Sequence, residues 1–515
     1  MPSGRTLLKS ALHLTAASMF MRAVGVGFQV YLARQIGAAG IGLFGLIGAA
    51  QMFALTVALS GIRFATTRLV SEELGSGNPR GIGAIMRRCF VHALGFGLLA
   101  GSFLFFGANW IGTSWIGDSR TILSLRILAV SLPAVACFAV MGGYFTAVSR
   151  VGRAAAVQVG EQLLRIGTIA VLFAIVSPQG LQQATALIVA GGVAAELAST
   201  GFLFILYLHD RRRFQRKQSA LPSSIAAKKT YTRRLLHISM PLAASAYARS
   251  GLNTLQQMLI PRGLRRFGAD SDGALASYGT VSGMVFPIIT FPSALFYAVG
   301  EVIVPTLTAA QMARNGERVS YLVSTVLRYS LLISIGLTGL FFAYSHQLAA
   351  MIYPNVPEVG NFVRLLTFFM PIMFLDAITD GMLRGLGQQM YSMGVNIVDS
   401  VVSVILVWIL LPIFGVYGYL FMIYFTEYFN FFFSIRKIAK ITAIRISLWQ
   451  TAKAILCIFA AVQLTGAGFG LLGFQDVGIL NLVLQFFLSG ALYILLLFGS
   501  RCITKQDVAF FRRIL

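Results

Sequence analysis

The sequence predicts an all-α, polytopic membrane protein of about fourteen transmembrane helices, arranged as two pseudo-symmetric six-helix lobes followed by a C-terminal helix pair. Three observations predict it. Of the 515 residues, 57% are hydrophobic and only 11% are charged, less polarity than a soluble protein of this size needs. Apolar runs repeatedly reach the ~20 residues that cross a bilayer. Two segments in different halves of the chain also share a costly feature: 16–22 reads AASMFMR and 243–249 reads AASAYAR. Each places an arginine near the middle of an apolar run, at a cost of at least a few kcal/mol.

The spans fall near residues 10–32, 40–61, 89–110, 122–146, 154–175, 184–208, 235–259, 276–299, 322–344, 362–386, 391–411, 416–433, 451–469 and 479–498. The first follows a short basic stretch, Met1 to Lys9, with no cleavable signal, and is read as a permanent span. Several spans are glycine-rich, which lets helices approach closely. The net charge of +24 sits in alternate connections, which points to a membrane rather than to nucleic acid. Arg80, Arg87 and Arg88, then Arg150 and Arg153, then the stretch 210–234, then Arg436, Lys437, Lys440 and Arg445, then Arg501, Lys505, Arg512 and Arg513 all fall on one side. The opposite connections near 177–179, 354–358, 412–415 and 475–476 hold no Lys or Arg. Both termini are therefore expected in the cytoplasm. Arg262, Arg265 and Arg266 are an exception on the outer side, partly balanced by Asp270 and Asp272.

The basic stretch 210–234 reads as a cytoplasmic linker lying on the anionic inner leaflet. It divides the chain into an N-terminal lobe, 1–209, and a C-terminal lobe, 235–440, with the last two spans and a cytoplasmic tail in 441–515. Internal repetition supports the division. Arg22 and Arg249 are 227 positions apart. Gly143–Arg165 overlays Gly381–Ser403 without gaps at a shift of 238, matching Gln158 to Asn396 and Glu161 to Asp399. Ser71 and Asn78 meet Thr308 and Asn315 at nearly the same shift. Three matches in order indicate gene duplication.

Charges at membrane depth are the candidate functional residues. Arg22 and Arg249 suit a central cationic cavity for an anionic substrate, since a planar guanidinium takes a diphosphate bidentately. The plainer alternative is that each snorkels or pairs with an acid in its own lobe. Glu161 and Arg165, at i and i+4, read as a structural pair. Asp399 has Ser403 where Glu161 has Arg165, so with Asn396 it is a candidate for Na⁺ or proton coupling. Glu427 is assigned to the same path. Asp376, Asp380 and Arg384 share a helix face, as a titratable site or an interfacial cluster. Glu196 is assigned to lobe packing, and His13 and His237 to interfacial positions. Arg63 and Glu301, equivalent at a shift of 238 and opposite in charge, are gate candidates; solvation or pairing within their own lobes is the alternative. Cys89, Cys137, Cys457 and Cys502 show no metal spacing and read as apolar fillers. No G-x-x-x-x-G-K-[ST] loop occurs, which argues against ATP-driven transport by this chain alone. No catalytic residue, metal or organic cofactor is expected, only a coupling ion.

Three segments carry a family resemblance: 60–80, SGIRFATTRLVSEELGSGNPR; 142–165, GGYFTAVSRVGRAAAVQVGEQLLR; and 277–305, from SYGTVSGMVFPIITFPSALF to GEVIVP. On these the chain resembles the multidrug/oligosaccharidyl-lipid/polysaccharide exporter superfamily, within it the stage V sporulation protein B and lipid II flippase branch. The resemblance implies fourteen spans, two six-helix lobes and a groove formed with the last two helices. It implies a polysaccharide-biosynthesis or cell-wall role: a monomeric flippase in the bacterial cytoplasmic membrane. Its partners would be membrane lipids and an undecaprenyl-linked pyrophosphate glycan such as lipid II, moved by alternating access. The chain departs from the branch pattern at Phe28, where a second arginine is common, near Gln256, where an acid is expected, and near Arg63, where proline is frequent. Two other functions are weighed. A cationic-drug antiporter of the same superfamily calls for an acidic central cavity. A membrane glycan-polymer ligase calls for a reactive cluster on a long outer loop, and the outer connections here are short.

Overall fold

The computed structural model describes residues 4–76, 79–218, 231–444, 447–471 and 478–503. Among them every regular element is helical. The α-helices are α1 (Gly4–Leu59), α2 (Ile62–Gly75), α3 (Pro79–Trp110), α4 (Ile122–Ala147), α5 (Val151–Val176) and α6 (Leu181–Gln218). There follow α7 (Tyr231–Phe267), α8 (Ser271–Tyr278), α9 (Phe286–Thr290), α10 (Ser293–Met312), α11 (Gly316–Ala343) and α12 (Ser345–Ile352). The chain continues with α13 (Glu358–Leu366), α14 (Met370–Gly385), α15 (Gln389–Ile441), α16 (Leu448–Leu471) and α17 (Ile479–Gly499). Residues 219–230 of the linker expected at 210–234, and Arg445, Lys505, Arg512 and Arg513, lie outside the described residues.

Twelve helical stretches among the described residues are long and apolar enough to cross a membrane. Two of them are too long for one crossing. At about 1.5 Å per residue, the 56 residues of α1 would run far beyond a bilayer core. Gly37, at φ 68° and ψ 179°, breaks α1. Gly415, at φ 56° and ψ −132°, breaks the 53 residues of α15. These are left-handed or mirror-β backbones that glycine enters without steric penalty. At Gly415 the chain doubles back: a side chain on Gly418 would strike the Leu410 carbonyl, which in a straight helix lies two turns away. The expected span at 235–259 is helical but polar, and α7 is not among the twelve.

Breaks inside spans also recur. After Leu59, Ser60 and Gly61 take φ of 42° and 69° before α2 begins at Ile62. After Thr290, Phe291 and Pro292 interrupt the helix before α10 begins at Ser293.

The duplication read from sequence is present in backbone detail. At the end of α4, the N–H groups of Val148, Ser149 and Arg150 donate to the carbonyls of Tyr144, Thr146 and Phe145. At the end of α14, Leu386, Gly387 and Gln388 donate to Met382, Arg384 and Leu383. The two caps are one pattern, of the Schellman type, displaced by 238 positions. The matched glycines behave alike too. A Cβ on Gly143 would fall on the carbonyl of Arg63 in α2, and one on Gly381 would fall on the carbonyl of Gly300 in α10.

The described residues pack as two compact units. One contains Met1–Gly42 with Gly263–Leu515, and the other contains Leu43–Arg262. The divisions fall inside α1 and α7, so each unit takes in a helix from the opposite half of the sequence. Small residues explain the first case. Gly42 meets the Leu275 carbonyl, and Gly279 meets Ala38 and Gly42, so the backbones come into direct contact. Gln29 adds a hydrogen bond to the Gly283 carbonyl at 3.1 Å. In the other unit, α7 is held to the second half of α1. Thr56 donates to the Ser250 hydroxyl at 3.0 Å, and Thr254 donates to the Ala49 carbonyl at 3.1 Å. In the first unit, α16 and α17 pack on α11, where Gly336 accommodates the Tyr493 ring; the Tyr493 hydroxyl donates to the Leu332 carbonyl at 2.7 Å.

Gly381→Val is expected to lower the apparent melting temperature in detergent, because it forces α14 off α10 at a cost of about 1–3 kcal/mol. Gly25→Ala, with no atom near the added methyl, is expected to leave it unchanged. Equal melting temperatures for Gly381→Val and the parent protein would show that the glycine contact does not hold these helices.

Candidate transport site

Arg249 is the middle residue of the 37-residue α7, about 27 Å along the axis from either end. Its side chain is exposed and makes no hydrogen bond or ion pair among the described residues. Asn253, Gln256 and Gln257 follow at i+4, i+7 and i+8, so one face of α7 is polar for about 12 Å from its midpoint. Such a face avoids lipid and lines an aqueous or protein-filled path.

Arg22, in the other unit, occupies the matching place in the first helix of its own half, and its surroundings differ. Its Nη1 donates to the Ser293 hydroxyl at 2.6 Å and to the Thr290 carbonyl at 3.3 Å. It therefore spans the break between α9 and α10 and takes up a carbonyl that the interrupted helix leaves without its usual partner. A guanidinium at a helix C-terminus is also favoured by the helix dipole. The side chain is half-buried and lies over the Tyr297 ring, 5.8 Å from its centroid. At the shift of 238, the position matching Ser293 is Leu55, which offers no hydroxyl.

The coupling candidates come together in the unit that holds Arg22. Asn430 donates to Asn396 at 2.8 Å, Asn396 to Ser392 at 3.4 Å, and Ser392 to Asp380 at 2.5 Å. This chain joins both halves of α15 to α14. Around it, the carboxylates of Asp376, Asp380, Asp399 and Glu427 act electrostatically on one another. One oxygen of Asp376 and the amide oxygen of Asn430 are buried without a hydrogen-bond partner among the described residues. Tyr297, beneath Arg22, is also acted on electrostatically by Glu427, Asp376 and Asp380. Arg384 does not neutralise the acids one and two turns before it; it pairs with Glu301 at 3.0 Å. The spare acidity suits a proton or a small cation. No three His, Cys, Asp or Glu side chains among the described residues are close enough to form a metal site as they stand.

Glu301, a gate candidate, thus has a partner within its own unit. Arg63 is exposed, and its carbonyl accepts from Thr67 at 2.9 Å.

In the unit containing Arg249, acids are compensated. Arg165 donates to Glu161 at 2.8 Å and to Glu196 at 3.1 Å. Ser199 donates to the second oxygen of Glu161 at 3.1 Å. Glu196, assigned to packing from sequence, therefore completes a charged triad with the predicted pair. Sequence reasoning did not single out Asp210, 1% exposed. It binds Arg150, Arg153 at 2.7 Å and the Tyr144 hydroxyl at 3.1 Å. The available signal was an acid set immediately before an arginine run.

Residues 7–311 match the family model described as polysaccharide biosynthesis protein, and 265–409 match the one described as MatE. Stage V sporulation protein B of Bacillus subtilis (strain 168) is 24% identical over 506 residues, covering 98% of this chain and 97% of that protein. Among solved structures, lipid II flippase MurJ in an inward closed conformation superposes with a TM-score of 0.61 at 13% identity, covering 95% of this chain and 99% of that one. An inward-facing MATE-family multidrug resistance transporter of the MOP superfamily gives 0.59 at 14% identity, over 82% and 95%.

Arg165→Met is expected to destabilise the protein by up to about 3 kcal/mol, because it leaves two carboxylates facing each other with one guanidinium fewer. Adding Glu161→Gln and Glu196→Gln should recover part of the loss. Thermal unfolding of the purified variants measures both effects; a triple variant no more stable than the single one would show that charge is not what the triad contributes.

Proposed function

Because this multi-pass membrane chain belongs to the polysaccharide biosynthesis protein family, with the fold of MOP-superfamily transporters, we propose that it is a flippase for an undecaprenyl-linked, anionic glycan precursor. A lipid II-type or polysaccharide unit would cross the bacterial cytoplasmic membrane by alternating access, with both termini in the cytoplasm. The observation that carries this reading is Arg249: a charge at the centre of a polar helix face, exposed and without an internal counter-ion. Leaving it so at membrane depth is unfavourable unless an anion visits. A diphosphate linking a sugar to a lipid supplies that anion, and a guanidinium meets it with two parallel donors. Arg22, within its own unit, is likewise suited to an anion, which would replace Ser293 and Thr290 as its partners.

The acids of the other unit supply the drive. Asp376, Asp380, Asp399 and Glu427 form a cluster of acids on α14 and α15, in keeping with a coupling proton or Na⁺. Arg22, over the Tyr297 ring, belongs to the same unit as these acids. The same acidity supports a second reading, an ion-coupled drug or metabolite antiporter.

In vesicles holding a fluorescent undecaprenyl-diphosphate sugar, Arg249→Ala is expected to slow flipping about tenfold or more, the worth of a charge-assisted hydrogen bond. Arg249→Lys should restore part of the rate, since it keeps the charge and loses the fork. Flipping at the parent rate by the alanine variant, at equal protein density, would rule out the diphosphate assignment. Export of a cationic dye with no movement of the lipid would establish the antiporter.

Asp399→Asn is expected to abolish the response of the flipping rate to an imposed Na⁺ or pH gradient while substrate binding stays within a factor of about 2. A variant that answers both gradients as the parent does would mark Asp399 as structural.

A further inference from the structure

Where α10 passes into α11 and the end of α15 closes over them, the protein has a cavity of about 880 Å³. Arg314, Arg328, Glu317, Ser320, Tyr321 and Thr442 are among the residues lining it. Two guanidiniums against one carboxylate leave it cationic. Thr442 is 8% exposed, and its hydroxyl, on the cavity wall, has no hydrogen-bond partner among the described residues. A buried hydroxyl in that state needs a visitor that can accept or donate.

Arg314 is held at φ 52°, a left-handed backbone that non-glycine side chains enter only under strain. Its counterpart in the repeat, one residue before Asn78, is Gly77, the residue that such a turn favours. The second half thus carries an arginine at a position where the first carries glycine. Strain kept at a cavity rim is a sign of use. The first half has a cationic cavity of its own, about 540 Å³, between α3 and α6, with Arg87 and Arg211 in its wall. Since α3 follows Asn78 as α11 follows Asn315, the two cavities border equivalent helices.

We propose that the cavity beside Arg314 and Arg328 binds the phosphate headgroup of an anionic glycerophospholipid of the inner leaflet. The volume accommodates a phosphodiester with its glycerol. The arginines match a phosphate. The loop charges put this end of the unit at the cytoplasmic surface, where anionic lipid is concentrated. Tyr321, 54% exposed, is the kind of ring that rests at headgroup level. The site is separate from the transported substrate and does not depend on its identity.

The test is the apparent melting temperature of the full-length protein in a neutral detergent, titrated with short-chain phosphatidylglycerol, phosphatidylcholine of the same chains, or inorganic phosphate. Phosphatidylglycerol should raise it in a saturable way and the other two should not. Arg314→Gly relieves the backbone, so it should melt higher than the parent without lipid, yet lose roughly half or more of the lipid-dependent rise. Arg328→Gln should lose it likewise, whereas Arg318→Gln, one turn from Arg314 but not in the cavity wall, should retain it. A full rise in both Arg314→Gly and Arg328→Gln overturns the site. An equal rise with phosphatidylcholine overturns its selectivity for anionic lipid, and an equal rise with inorganic phosphate overturns the lipid assignment.

Discussion

A membrane interior offers no water to a backbone carbonyl that has lost its helical partner. That constraint organises the unit around α9 and α10. The Phe291–Pro292 interruption frees carbonyls at the end of α9, and Arg22 supplies a donor from another helix. Arg22, a candidate ligand for substrate from sequence, therefore also braces the interrupted helix. In the other unit Arg249 remains exposed, so the two repeated arginines now stand in different surroundings.

The acids have diverged in the same way. Glu161 has Arg165 one turn later and shares it with Glu196. Asp399, at the matching position, has Ser403, whose hydroxyl bonds back to the Asp399 carbonyl at 2.8 Å and brings no positive charge. Arg384 might have compensated Asp380 along its own helix, but the orientation of α14 against α10 gives it to Glu301. One unit therefore sets an arginine between its two acids, Glu161 and Glu196, and the other gathers its acids on α14 and α15, where Arg384 turns to Glu301 instead.

Much of this was legible in the sequence because it is local. Hydrophobic runs, the i,i+4 spacing of Glu161 and Arg165, and the register of the duplicated segments all lie within one helix or one ungapped alignment. The caps of α4 and α14 repeat at the 238-residue shift read from side chains alone. What was not legible depends on which helices touch. Nothing near Arg22 announces Ser293, 271 residues away, and nothing near Glu301 announces Arg384. Asp210 looked like the start of a linker because its partners, Arg150 and Arg153, lie some sixty positions earlier. The segment around Arg249 read as an apolar run, yet α7 carries Arg249, Asn253, Gln256 and Gln257 along one side and is polar on the whole.

The reversal at Gly415 has a consequence for how the protein is made. The two halves of α15 leave the ribosome with a single glycine between them and no polar connection to hold outside the membrane. A turn this short leaves no polar loop to carry across the bilayer, so the hairpin can enter the lipid as one piece. The arginine and lysines at 436–440 are then the charges available to hold its far end at one membrane face.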